Sequence, residues 1–272
     1  MTNSSGPRRD SASSGAGSGV TAKLRLAEYS LSLPFAMPHS KKLLAGASGY
    51  SFKEWKGTFY PERIKPDAML GYYAEHLPTV EINNTFYRMP KVEVLEKWAS
   101  VTPESFRFAI KASRRITHFA RLEAEKAKDS VEFLYRNLAA LGPKRGPVLY
   151  QLPPFLKKDL PRLQEFLAVL PAGHGAAFEF RNPTWFCDEV YDALKRAGAA
   201  LCLSEREDNA PPPLVETTSW GYVRLRLETY SEHDLGEWAR RLSASGWHQV
   251  YAYFMHEPTA PAYAQALMGF VE

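Results

Sequence analysis

Glu179 and Arg181 stand two residues apart in GAAFEFRNPTWF (175–186), inside a run that otherwise reads as a buried strand. At that spacing a carboxylate and a guanidinium project from the same face of an extended chain. The pattern recurs in other apolar runs. TVEINNTF (79–86) carries Glu81 and Asn83, FRFAIKA (106–112) carries Arg107 and Lys111, PVLYQL (147–152) carries Gln151, and GYVRLR (221–226) carries Arg224 and Arg226. Carboxylates suit general acid–base work, arginine forks suit carboxylate and phosphate oxygens, and a lysine beside other cations suits Schiff-base chemistry.

Five separate strands must bring these side chains together. Eight strand candidates alternate with amphipathic stretches: 43–48, 79–86, 106–112, 147–152, 176–180, 199–204, 221–226 and 249–255. Helix signals lie between them. Pro66 and Asp67 open one helix, Gly142 and Gly198 close two others, and Ser231 with Asp234 forms a capping box. Alternation of this kind predicts a parallel sheet covered by helices, and eight units favour an α/β fold of the (β/α)8 TIM type over an open sheet. One unit is irregular: between strands six and seven, EREDNAPPPLVETTS is rich in proline and lacks a helical period. In a barrel the face toward the helices is apolar. Val80 and Ile82, Phe108 and Ile110, Phe178 and Phe180, and Val223 and Leu225 therefore pack outward, and the polar residues between them point to the axis. Near the C-terminal strand ends such residues line the mouth where this fold holds its active sites. The plainer alternative is a closed ion-pair network that only fixes barrel closure.

Composition narrows the classes. Residues 1–42 hold six basic and two acidic side chains, which accounts for the whole formal net charge of +4. The remaining body is balanced, so a globally basic nucleic-acid binder is not indicated. This segment is expected to be a disordered or loosely docked tail, followed by a single barrel domain over 43–272, and Met37 is an alternative translation start. Only Cys187 and Cys202 occur, no apolar run is long enough to span a membrane, and the Ser/Gly-rich N-terminus has no secretory pattern. The expectation is a cytoplasmic protein with no membrane partner. GASGY after strand one lacks the spacing of a dinucleotide loop, and no feature names a cofactor.

GASGYSFKEWKGTFYP, YYAEHLPTVEINNTFYRMP, FRFAIKASRRITH, PVLYQLPPF, AFEFRNPTW and YVRLR resemble, in that order, the blocks of the domain-of-unknown-function 72 family, the YecE-like proteins. The resemblance covers about residues 44 to 265. It implies a TIM-type barrel similar to those of xylose isomerase and endonuclease IV, and implies no particular reaction. The family's polar positions fall on Glu81, Asn83, Tyr87, Lys111, Thr117, His118, Gln151, Glu179, Arg181 and Trp185. Two departures stand out. Arg226 and Leu227 replace a His-Gly pair after the seventh-strand arginine, and YFMHEPTAPAYA replaces a Phe-Asn-Asn run after strand eight.

Glu81, Lys111 and Glu179 are thus the candidate catalytic groups. Asn83, Tyr87, His118, Gln151, Arg181, Trp185, Arg224 and Arg226 are the candidate substrate-binding groups. Basic residues dominate this set, and SRRITH adds Arg114 and Arg115, which favours an enzyme acting on a small anionic, phosphorylated substrate. A metal-dependent hydrolase or isomerase is the second reading, with Glu81, His118, Glu179, Glu205, His256 and Glu257 as available ligands. The neighbouring cations and the lack of H-x-H or H-E-x-x-H spacing weigh against a metal, and none is assigned. A Schiff base on Lys111 is a third. A nucleic-acid-binding or phosphoprotein-binding module is a fourth, carried by Tyr50, Trp55, Tyr60, Phe86, Tyr87, Arg88 and Trp185, although Trp55 and Trp185 serve equally well as packing.

Overall fold

The computed structural model describes residues 41–205, 213–255 and 258–271. The expected tail up to residue 40, the start at Met37, the proline-rich stretch 206–212, and His256 and Glu257 lie outside the described residues. Eight parallel strands close into a barrel in sequence order: β1 (Lys42–Ala47), β2 (Thr79–Ile82), β3 (Arg107–Lys111), β4 (Arg145–Gln151), β5 (Ala176–Glu179), β6 (Ala200–Ser204), β7 (Trp220–Leu225) and β8 (Gln249–Phe254). Closure runs along the β1–β8 ladder, from Lys42 opposite Gln249 to Ala47 opposite Phe254. The helices are α1 (Met69–His76), α2 (Val92–Ser100), α3 (Ala124–Leu138), α4 (Leu160–Ala168), α5 (Asp188–Ala197), α6 (Glu232–Ala244) and α7 (Ala260–Gly269). The capping box at Ser231 and Asp234 forms as expected, and Gly198 closes α5 in the left-handed conformation. Between β6 and β7 the described residues carry no helix; buried Thr217 bonds Leu201 N and Ala199 O there instead. No helix among the described residues is long and apolar enough to cross a membrane.

The alternation expected from the strands holds. Outward residues such as Val80, Phe108, Phe178 and Val223 join the core between sheet and helices. Inward residues form a second, smaller core of unequal halves: Ala109, Ala177 and Ala200 on one side, Tyr222, Tyr251 and Tyr253 on the other. Small residues facing large ones are the combination that lets a barrel interior interdigitate. Above this layer the interior becomes polar.

One strand differs from expectation. The stretch 79–86 is extended only to Ile82, and Asn84–Phe86 turns into a 3-10 helix. Asparagine pairs favour turns, and the Thr85 hydroxyl fixes this one by donating to Ile82 O (2.9 Å) and Lys111 O (2.7 Å). The turn thereby folds over the end of β3.

The β1–β2 seam is short, with Gly46 opposite Thr79 and Ala47 opposite Val80. Tyr73 of α1 completes it. Its buried hydroxyl accepts from Ala47 N (2.8 Å) and donates to Thr79 O (2.9 Å). Tyr73→Phe strands both backbone groups and should cost about 2 kcal/mol in chemical denaturation. A loss below about 0.5 kcal/mol would show that the seam does not depend on this hydroxyl.

Candidate functional site

Arg224 sits at the centre of the polar layer with 1% of its surface exposed. It rises from β7 and spans the axis. Its Nη2 donates to Glu81 Oε1 on β2 (2.9 Å) and its Nη1 to Glu179 Oε2 on β5 (2.5 Å). Both carboxylates are fully buried. Glu81 also accepts from Ser48 Oγ (2.7 Å) and Asn83 Nδ2 (3.1 Å) on one oxygen, and from the Tyr222 hydroxyl (2.7 Å) on the other. Glu179 also accepts from Gln151 Nε2 (2.8 Å), Arg181 Nε (3.2 Å) and Arg226 Nη1 (3.5 Å). Burial alone would raise both carboxyls. Arg224, with Tyr222 and Ser48, holds Glu81 below its ordinary value, and Arg224, Arg181 and Arg226 hold Glu179 far below it. Both are carboxylates at neutral pH, and their charge keeps Arg224 protonated despite burial.

Lys111 ends β3 beside this network and is half-buried. Among the described residues its Nζ has no hydrogen bond or ion pair; its close neighbour is the Phe86 ring, with the centroid 4.5 Å away. Burial, Arg224 and Arg181 push its amine down to about 8, with Glu81 and Glu179 opposing. His118 packs edge-on against the same Phe86 ring, centroids 4.9 Å apart, and its Nδ1 meets Thr117 Oγ1 at 2.9 Å. Burial, Lys111 and Arg181 lower the His118 pKa, so the imidazole is neutral at neutral pH. A π-helical turn, Arg115–Phe119, carries it, and Arg121 and Leu122 follow with φ of 51° and 63°. Non-glycine residues adopt such angles at a cost, and strain of this kind collects at functional sites.

The structure therefore brings together Glu81, Asn83, Lys111, His118, Gln151, Glu179, Arg181, Arg224 and Arg226. Two expected residues stay outside. Trp185 is buried behind β5, stacks on Phe180 (4.7 Å) and donates its indole N–H to Leu156 O (2.7 Å). The 3-10 turn Pro183–Trp185 after β5 breaks the alternation and swings the indole into the outer core. Tyr87 is 69% exposed on the loop after β2, with the Arg114 guanidinium 5.5 Å from its ring centre. Three members escape a search for charge alone: Ser48 and Tyr222, which donate to Glu81, and Met255, whose Sδ accepts from Arg224 Nη2 (3.1 Å). Strand parity places Tyr222 on the face of Arg224. Arg224 Nε, Asn83 Oδ1 and Ser204 Oγ are buried with no hydrogen-bond partner among the described residues. The indole N–H groups of Trp55 and Trp247 are likewise buried and unpartnered among the described residues.

Glu205 is committed elsewhere. It accepts from the Tyr230 hydroxyl, Arg226 N (3.3 Å) and Trp238 Nε1 (3.3 Å), which ties β6 to α6. Among the described residues no three His, Cys, Asp or Glu side chains come together as a metal site. Glu81 and Glu179 are saturated by donors and flanked by guanidinium groups, a poor set for a divalent ion. A cleft of about 750 Å³ at the opposite end of the barrel, lined by Gly173, His174 and Trp220 among others, gathers no comparable cluster.

Residues 44–272 match the model of the family described as Protein of unknown function DUF72. The chain is 40% identical over 116 residues to UPF0759 protein YecE of Escherichia coli K12, which covers 42% of each chain. It is 31% identical over 143 residues to UPF0759 protein YunF of Bacillus subtilis, half of each. The chain thus spans half or less of the length of the curated relatives it matches. The crystal structure of a DUF72 family protein from Thermotoga maritima superposes with a TM-score of 0.69 at 25% identity, covering 84% of this chain and 97% of that one.

The carboxylates should make the fold sensitive to acid. Each titrates below its ordinary value of 4.5 in the folded protein, so the stability it contributes is full above that pH and is lost as pH falls beneath it. Melting temperature followed against pH should drop on this acid limb, and Glu179→Gln should flatten the drop. Arg224→Met should cost about 3–5 kcal/mol at neutral pH by leaving both carboxylates buried and uncompensated. An acid limb of unchanged slope in Glu179→Gln would remove Glu179 as its source.

Proposed function

From the premise that the chain belongs to the DUF72 family, we propose that its barrel mouth binds and transforms a small anionic, phosphorylated substrate. The observation that carries this reading is the gathering of Lys111, His118, Arg181 and Arg226 at the mouth. Lys111 and His118 are both pushed toward their neutral forms, chiefly by burial and then by neighbouring cations. A bound anion favours their charged forms. Arg181 and Arg226, held at the rim by Glu179, present planar forks of the kind that grip phosphate oxygens. Gln151 and Asn83 orient the carboxylates, and Asn83 Oδ1 offers a buried acceptor to the ligand.

In this reading the catalytic duties differ from those expected of the residue types. Glu81 and Glu179 act as electrostatic anchors, since carboxylates held this low carry no proton at neutral pH. Lys111, brought down to about 8, is the group whose protonation changes nearest neutrality, and the neutral His118 imidazole beside it is the base that exchanges protons with the site.

A second reading has its own support. Tyr87, Phe119 and Phe155 are 69%, 67% and 61% exposed on the loops after β2, β3 and β4. Arg114 lies within 5.5 Å of the first two ring centres and Arg121 lies 5.3 Å from the third. Exposed rings interleaved with arginines suit the stacked bases of single-stranded nucleic acid, bound without catalysis.

Calorimetric titration separates the two. Inorganic phosphate and pyrophosphate should bind the wild type, with affinity falling as salt rises, and Arg181→Ala should weaken binding by about tenfold, as loss of one charge-assisted hydrogen bond predicts. Unchanged affinity in Arg181→Ala would remove that residue from the site. No phosphate binding, with a salt-dependent shift of a short single-stranded oligonucleotide, would replace the first reading by the second.

A further inference from the structure

We propose that Lys111 Nζ is a covalent nucleophile that forms an imine with the carbonyl carbon of a phosphorylated aldehyde or ketone. The inference rests on the anion-binding reading for the phosphate, and on its own geometry for the amine.

The three arginines of the cluster divide the two carboxylates among themselves: Arg224 bonds both, and Arg181 and Arg226 share the outer oxygen of Glu179. The lysine, close enough to feel both carboxylates, makes an ion pair with neither. Its position is nevertheless fixed. The amine rests 4.5 Å from the Phe86 ring centre, and the Thr85 hydroxyl clamps the backbone carbonyl of Lys111 at 2.7 Å. An amine that makes no ion pair among the described residues, at an inward-facing strand end in a barrel mouth, is placed for attack on a bound electrophile.

The charged groups that act on it come from several sides: Arg224 on β7, Glu81 on β2, and Glu179 and Arg181 on and after β5, while the His118 imidazole on the turn after β3 is neutral. Burial, Arg224 and Arg181 bring the amine down to about 8 against the opposing carboxylates, so about a tenth of it carries a lone pair at neutral pH and more as pH rises. His118 shares the Phe86 ring with the lysine and is the nearby proton carrier.

The step balances without a redox partner. The nitrogen lone pair forms a C–N bond as the carbonyl π pair moves to oxygen, which takes a proton. The nitrogen gives up one proton to leave a carbinolamine, the hydroxyl takes a second proton and leaves as water as the nitrogen lone pair forms C=N, and the iminium then gives up its remaining N–H proton, so the two protons lost by nitrogen balance the two gained by oxygen. Arg181 and Arg226 hold the phosphate throughout.

Pyridoxal 5′-phosphate is a suitable probe, since it joins an aldehyde to a phosphate, with pyridoxal as the control that lacks the anion. The full-length chain is incubated with each, reduced with sodium borohydride and mapped by peptide mass spectrometry. Lys111 should be modified by the phosphorylated probe about tenfold faster than an exposed lysine such as Lys126, with a rate that rises through pH 8. Inorganic phosphate should slow it. Lys111→Arg and Lys111→Met should lose the adduct at that position while melting close to wild type; should either fail to fold, phosphate competition in the wild type still decides. Labelling of Lys111 no faster than of Lys126 would overturn the proposal, and with phosphate still raising the melting temperature it would leave the anion site standing. Equal labelling of Lys111 by both probes with no phosphate competition would support the nucleophile and remove the anion reading.

Discussion

The structure of the mouth depends on one guanidinium, that of Arg224, held between two buried carboxylates. Transfer of three charges from water into a barrel interior is costly, and only close, well-directed pairing offsets it. The pairing here is close: 2.9 Å to Glu81 and 2.5 Å to Glu179, with Tyr222, Ser48, Asn83 and Gln151 and the guanidinium groups of Arg181 and Arg226 on the remaining carboxylate lone pairs. Because the three residues come from β7, β2 and β5, the pair interactions reach across the axis as well as along the sheet. They also require room. Ala109, Ala177 and Ala200 provide it below the network, while the tyrosines of β7 and β8 fill the other half. A larger side chain at any of these alanines would compete for the space that the ion network needs.

That arrangement decides what the other ionisable groups can do. Donors saturate Glu81 and Glu179, so the carboxylates fix charge and move no protons. The pKa values of Lys111, His118 and Arg226 are all lowered, first by burial and then by neighbouring cations. Lys111 and His118 lean on Phe86, which the 3-10 turn after β2 places over the end of β3. The π-helical turn and the left-handed pair Arg121–Leu122 deliver His118 to that ring. A relaxed connection would be more stable. Strain of this kind collects where a loop must place a particular side chain.

Much of this was legible in the alternation of residues along the strands. Apolar residues at every second position in β2, β3, β5 and β7 identify the outward face, and the charged residues between them must then converge on the axis. That reasoning recovers Glu81, Lys111, Glu179 and Arg224 without coordinates. It fails where the backbone leaves the strand. Trp185 lies beyond the end of β5, in a turn whose geometry no period of two predicts, and its indole packs outward. Tyr87 lies past the early end of β2, where the chain has already turned. Ser48, Tyr222 and Met255 carry no charge and so draw no attention in a sequence, although Tyr222 shares the face of Arg224 by simple parity. The family resemblance locates the same positions and is silent on their bonding. It cannot show that the glutamates are saturated, because saturation is a property of distances and not of residue types.

The choice of lysine at position 111 bears on function more directly than the arginines do. Arginine forks hold the buried carboxylates well and cannot lose their charge. A lysine in the same field contributes little to the fold: its ammonium is partly desolvated, repelled by Arg224 and Arg181, and without an ion pair among the described residues. Methionine would fill the same volume against Phe86 without the desolvation cost, and exposure at the rim would leave a lysine fully hydrated. Neither of these easier solutions is present. A half-buried lysine with no ion pair among the described residues, beside three arginines that each have one, is the feature on which the imine proposal stands.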